Sequence, residues 1–171
     1  MDMKITRLAA VLHGVTVAAL IVIPILVIGF LLLLSLGQSM SLALEDVPAQ
    51  GVFLVAGVAV GFLPVLALLW VLDSLRQLFA RYRDGEVLTG GSADLILRAG
   101  KGLLWLAGLS IAVQPLSTAL LTWQAPPGER SISVGISQAE VGFVFVAGLL
   151  TLIGYAMREA ARQADENKGF I

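Results

Sequence analysis

The 171 residues contain no cysteine. That excludes disulfides, thiolate metal sites and thiol catalysis, and it leaves the compartment open. Histidine occurs once, as His13, so no bis-histidine haem pair can be built from this chain alone. Charge is scarce as well. Only 13% of residues are charged, against about 25% in an ordinary soluble domain. The net charge of −1 provides no global field for nucleic acid, and no direct nucleic-acid binding is expected. No Asp, Glu, Lys or Arg falls within the middle of any long apolar run. Such residues mark proton relays and ion pathways, so their absence argues against a pump or coupled transporter. Nucleophile, base and oxyanion donors do not cluster at any readable spacing, so neither catalysis nor a cofactor is expected.

What the chain has in excess is apolar side chains. They make up 58% of residues, with a mean hydropathy of +0.93, above the roughly 45–50% of soluble domains. The excess is gathered in blocks, as bilayer spans require. Four spans are expected, at 9–36, 51–72, 102–123 and 141–157. The first run is far longer than the about 7–15 apolar residues of a signal peptide, so a retained helix is expected. Pro24 should kink it or be satisfied by a neighbouring helix. The loop Gln38–Gln50 holds Glu45 and Asp46 and no base, and Pro48 suits the first turn of the next helix. The second span carries Gly57-x-x-x-Gly61 and then Pro64. The glycine pair is read as packing within the chain, with homo-oligomerisation as the alternative.

The longest polar stretch, Leu72–Lys101, is the junction between two helical hairpins. Leu72, Leu75, Leu78, Phe79 and Tyr82 recur every three or four residues, with Asp73, Arg76, Gln77, Arg81 and Arg83 opposite. The second helix therefore continues as an amphipathic extension. Gly85 should end it, Ser92 should cap the next helix, and Asp94 should complement that helix's positive end. Gly85-x-x-x-x-Gly90-Gly91-Ser92 approaches a phosphate-binding loop, but Gly91 stands where the lysine belongs and no strand precedes it. It is read as a turn.

In the second half, Gln114 and Pro115 lie at mid-depth of the third span, with Ser110, Ser117 and Thr118 nearby. Gln114 is read as bonding a neighbouring helix or a carbonyl freed by the proline, with a pocket for a small lipophilic ligand as the alternative. His13 is read as an interfacial or interhelical hydrogen-bonder rather than a ligand. Ala125-Pro-Pro-Gly is a turn signal, and Ile132-Ser-Val-Gly-Ile alternates as a strand fragment would. Ser137-x-x-Glu140 is a capping box that opens the fourth span. The tail 158–171 begins as a helical continuation, with Glu159, Arg162 and Glu166 at helical pair spacing. Its alanine-rich face is expected to dock on the extension Leu72–Arg83, with Phe170 and Ile171 folding back onto apolar surface.

The bases set the orientation. Ten lie at the N-terminus, the junction and the tail, and only Arg130 lies in the other two loops. By the positive-inside rule, the junction and both termini face the cytoplasm. Trp123 then falls at the external interface. Arg76, Arg81, Arg83, Arg98 and Lys101, with Glu159, Arg162, Glu166 and Asn167 of the tail, are the candidate partner- or lipid-facing residues. His13 and Gln114 are the candidate intramembrane polar groups. Anionic headgroups alone would repay each base near the surface by about 1 kcal/mol.

Arg81-Tyr-Arg-Asp-Gly-Glu-Val-Leu-Thr, with Ala93, Arg98 and Gly100, and the tail Glu159-Ala-Ala-Arg-Gln-Ala-Asp-Glu-Asn-Lys-Gly-Phe-Ile carry a family resemblance. Both resemble the bacterial membrane proteins grouped as domain of unknown function 2975, over nearly the whole chain. The resemblance implies four spans and no catalytic residues. Members are often encoded beside a small helix-turn-helix regulator, which implies a membrane component of a regulatory or stress-response pair. The expected fold is an all-α integral membrane bundle of four transmembrane helices, two hairpins with cytoplasmic helical extensions, in a bacterial inner membrane. The expected activity is non-enzymatic binding of a partner through the cytoplasmic face. The alternative is a small channel or carrier.

Overall fold

The computed structural model describes the backbone at 3–35, 51–87 and 89–168. Among these residues every regular element is an α-helix: α1 Met3–Ser35, α2 Val52–Gly61, α3 Leu63–Arg83, α4 Gly90–Leu121 and α5 Gln138–Lys168. Where side chains are apolar on all faces, no surrounding water is assured for the backbone, and a helix satisfies its peptide groups internally. Helices α2 and α3 form one bent rod. Phe62 closes the first with bonds to Val58 and Ala59, and Pro64 opens the second at its first turn. Pro24 and Pro115 lie inside α1 and α4, and neither ends its helix. This makes four rods long and apolar enough to cross a membrane: Thr6–Leu33, Val52–Arg83, Gly90–Leu121 and Gln138–Glu166.

The rods form an open bundle. Helix α1 lies on α3 and α2, α4 lies on α3, α2 and α5, and α5 lies on α4 alone. Large apolar side chains of α1 and α5, such as Leu8, Ile25, Phe145 and Leu152, stay exposed. The buried core is at the elbow end, where Leu78 of α3 meets Leu95 and Ile96 of α4, flanked by Leu75, Tyr82, Leu150 and Met157. Close approach depends on small residues. A Cβ at Gly102 would lie 2.6 Å from Val71 Cγ2, and one at Gly57 would lie 2.8 Å from Leu121 Cγ. Gly57 thus faces α4 within the chain.

The elbow is closed by backbone chemistry. Helix α3 ends in a Schellman motif. Gly85 takes φ 93°, its N–H donates to Tyr82 O, and Glu86 N–H donates to Arg81 O. The cap of α4 differs from the expectation that Ser92 would supply it. Thr89 has the extended conformation a cap needs, and its Oγ1 accepts from Ser92 N at 3.3 Å. Ser92 is already helical and fully buried, and its hydroxyl donates to Glu86 O at 2.6 Å.

The tail also departs from expectation. It is helical to Lys168, yet 158–166 is exposed apart from half-buried Ala161, and α5 makes no approach to α3. The extension Leu72–Arg83 is already covered by α1 on one side and α4 on the other, which leaves no face for the tail. Phe170 and Ile171, expected to fold back, lie outside the described residues, as does the Gln38–Gln50 loop.

Candidate functional site

Two regions collect the polar side chains. At the elbow, Arg76 donates to Asp73 at 2.8 Å, and Gln77 donates to the other oxygen of the same carboxylate at 2.7 Å. Arg98 lies over the Trp70 ring, 5.6 Å from its centre. Arg81 faces Glu86 at 3.6 Å, and Arg83 faces Asp84 at 3.4 Å. Lys101 is exposed on α4. The bases at the elbow are thus partly neutralised by neighbouring carboxylates. In the tail, Arg162 bridges Glu159 and Glu166 on one helical face, and Arg158 reaches across to Asp94 of α4 at 2.8 Å. The Arg162 guanidinium beside Glu159 holds its carboxyl well below the usual carboxylate range. The Asn167 side chain lies outside the described residues. His13 belongs to this end too, because its Nδ1 donates to Arg76 O at 3.1 Å and ties α1 to α3.

The second region surrounds Gln114, and much of it was not legible in the sequence. After Trp123 the chain turns at Gly128, with φ 102°, and runs back along α4 in extended form. Ser131 N–H donates to Thr122 Oγ1 at 3.2 Å, Ser133 N–H to Thr118 Oγ1 at 3.1 Å, and Gly135 N–H to Gln114 Oε1 at 3.0 Å. Every second residue of the segment therefore meets every fourth residue of the helix. The match is physical: two extended residues rise about 6.7 Å and four helical residues about 6.0 Å. The expected strand fragment is extended, but its partners are helix side chains. Its alternation with Gln114, Thr118 and Thr122 at four-residue spacing is the signal that sequence reading passed over.

This return sets where α5 begins. Ser137 N–H donates to Glu140 Oε2 at 2.7 Å, its hydroxyl donates to the same oxygen, and Ala139 N–H donates to Ser137 Oγ, so the capping box forms. It forms beside the C-terminal part of α4. Ser137 and Glu140 line one cavity of about 380 Å³ with Ser110, Gln114, Ser117 and Pro64. Glu140 stands in the first turn of α5, and the return of 131–135 brings that turn beside Ser110 and Gln114 of α4. Ser110 donates to Leu106 O at 2.8 Å and Ser117 to Gln114 O at 3.0 Å, so both hydroxyl oxygens keep accepting capacity. Among the described residues no group of three His, Cys, Asp or Glu could hold a metal ion.

No protein-family model, curated protein or solved structure matches the chain.

Proposed function

We propose that the chain is a non-enzymatic, multi-pass protein of a bacterial inner membrane, crossing four times with the elbow and both termini in the cytoplasm. It binds a partner through that cytoplasmic face, in regulation or stress response. The resemblance to the family named for domain of unknown function 2975 belongs to this proposal. The observation that supports it best is the placing of the buried core. Leu78, Leu95 and Ile96 lie at the elbow, beneath two closed helix ends, so this end is a firm platform. It carries Arg98 and Lys101 on its exposed side and the largely exposed helical stretch 158–166, tied to α4 by Arg158 and Asp94, beside them. Photo-crosslinking groups at Lys101 and Gln163 in living cells test the reading. A reproducible protein adduct from both positions is expected, and adducts to lipid alone at both would overturn it.

A small channel or carrier is the second reading, favoured by the cavity at Gln114. Its test is solute flux in proteoliposomes. Flux unchanged by Gln114→Leu would remove the proposed site.

A further inference from the structure

Helix α4 is gripped on two sides and open on a third. Gly102 packs on α3, where an added Cβ would lie 2.6 Å from Val71 Cγ2, and Gly100 packs on α5, where one would lie 2.8 Å from Thr151 Oγ1. Between these contacts Asp94, Arg98, Lys101, Trp105, Gly108 and Ala112 follow one another at spacings of four and three, and all are exposed. They form one strip along the helix, and among the described residues α3 and α5 do not meet across it. We infer that this strip binds one anionic phospholipid, with the headgroup phosphate on Arg98 and Lys101 and an acyl chain laid along Trp105, Gly108 and Ala112. The inference rests on the membrane reading of the four rods and not on the partner: lipid adducts at Lys101 alongside protein adducts satisfy both.

Charge comes first. The acids nearby are already engaged: Asp94 pairs with Arg158 at 2.8 Å, and Asp73 binds Arg76 at 2.8 Å and Gln77 at 2.7 Å. Among the described residues neither Arg98 nor Lys101 has a carboxylate within ion-pair distance. Arg98 lies instead over Trp70, 5.6 Å from the ring centre, and Trp70 stands beside Gly102 at the α3 edge of the strip. An aromatic ring takes one face of a guanidinium and leaves its N–H fork free, and that fork matches two oxygens of a phosphate. Lys101, three positions on, adds a second charge at about 5–6 Å between Cβ atoms, so both side chains can reach a single phosphate.

Depth agrees. Arg98 and Lys101 stand where the apolar part of α4 begins, and Trp70 and Trp105 flank them, as aromatic residues do at a membrane interface. From Lys101 to Ala112 is eleven positions. At about 1.5 Å per residue that is about 16 Å, against about 15 Å for half of a hydrocarbon core about 30 Å thick. The strip is thus as long as one leaflet is deep. Its inner part is bare, since a Cβ added at Gly108 would meet nothing within 4 Å and Ala112 carries a single methyl. An acyl chain can lie there against the helix while its phosphate stays level with the two bases. A free phosphate would use the bases and leave that bare part without an occupant.

The test is quenching of tryptophan fluorescence by dibrominated phospholipids, on the full chain in bilayers. Trp123→Phe leaves Trp70 and Trp105 as the reporters. Dibrominated phosphatidylglycerol should half-quench them at a mole fraction at least about tenfold below that of dibrominated phosphatidylcholine with the same chains, the weight of two bases on an anionic headgroup. The paired change Arg98→Gln with Lys101→Gln should abolish that preference. Arg81→Gln with Arg83→Gln removes the same charge from the tip of the elbow and should keep most of it. Equal, non-zero quenching by the two lipids overturns the inference. So does an equal loss in the two paired variants, which would leave a diffuse field and no site. Inorganic phosphate, set against chloride at matched ionic strength, should not alter the preference, and a loss with phosphate alone would assign the bases to a free anion and overturn the lipid. Absence of quenching by either lipid would overturn the membrane reading on which the site rests.

Discussion

A Cβ added at Gly154 would lie 2.7 Å from Leu97 Cγ and 3.2 Å from the Leu97 backbone nitrogen. The backbone cannot yield as a side-chain tip can, so α4 and α5 must separate. Gly148, on the same helix, has nothing within 4 Å of its own added Cβ. Gly154→Ala should therefore destabilise the α4–α5 pair by about 1–3 kcal/mol. Gly148→Ala should be neutral, or stabilise by up to about 1 kcal/mol through helix propensity. Reversible unfolding in mixed micelles measures both, and equal effects would mean that this helix register is wrong. Sequence alone cannot separate the two glycines, because the difference lies in which residue of α4 stands opposite. The capping residue was obscured for a similar reason: Thr89 and Ser92 are both good caps, and the choice fell to the extended backbone at Thr89. Gly85 was legible, because a left-handed turn after an amphipathic run admits little else.

The extended segment 131–135 is held by two side chains of α4 and by its cap residue Thr122, and by no strand partner among the described residues. Thr118→Val removes the acceptor for Ser133 N–H and keeps the shape of the side chain. Amide exchange at Ser133 should then accelerate several-fold, with Gly135, on Gln114, affected less. Unchanged exchange at Ser133 would show that the segment does not lie on the helix in the membrane-bound protein. The tail is an element of the opposite kind, with helical pairing and almost no cover. Short helices without tertiary packing are marginal in water, so amides 159–165 should exchange faster than those of 141–157. The sign of the pH effect follows from the Glu159 carboxyl, which Arg162 holds below its ordinary range. A depressed carboxyl stabilises the folded form at pH values above its unfolded pKa. That support is fully present at neutral pH and is lost as pH falls below about 4.5 toward the lowered value. Tail helicity should fall over that window in the wild-type chain, and Arg162→Ala should remove the Glu159-linked part of the change. An identical acid transition in both would contradict the role given to the pair.

At the scale of the molecule, the four rods were legible because apolar runs of this length have few other uses, and the amphipathic extension was legible in the three-and-four spacing from Leu72 to Tyr82. The order of packing was not. The alanine face of the tail suggested docking on α3, whereas α1 and α4 already cover that helix. Nor were the neighbours of Glu140 legible, since they depend on the chain folding back along α4 after Trp123. The open bundle leaves its outer helices with exposed apolar faces, an arrangement suited to lipid contact and costly in water. The central claim is that this bundle crosses the membrane four times with elbow and tail on the cytoplasmic side. The absence of cysteine makes a direct test clean, because every introduced thiol is the only one in the chain. Single variants Glu129→Cys in the loop, Glu86→Cys at the elbow and Gln163→Cys in the tail can be treated with a membrane-impermeant maleimide. In intact spheroplasts the account predicts labelling of Glu129→Cys alone, with the other two labelled only after the membrane is opened. Labelling of Glu86→Cys or Gln163→Cys in intact spheroplasts would contradict it.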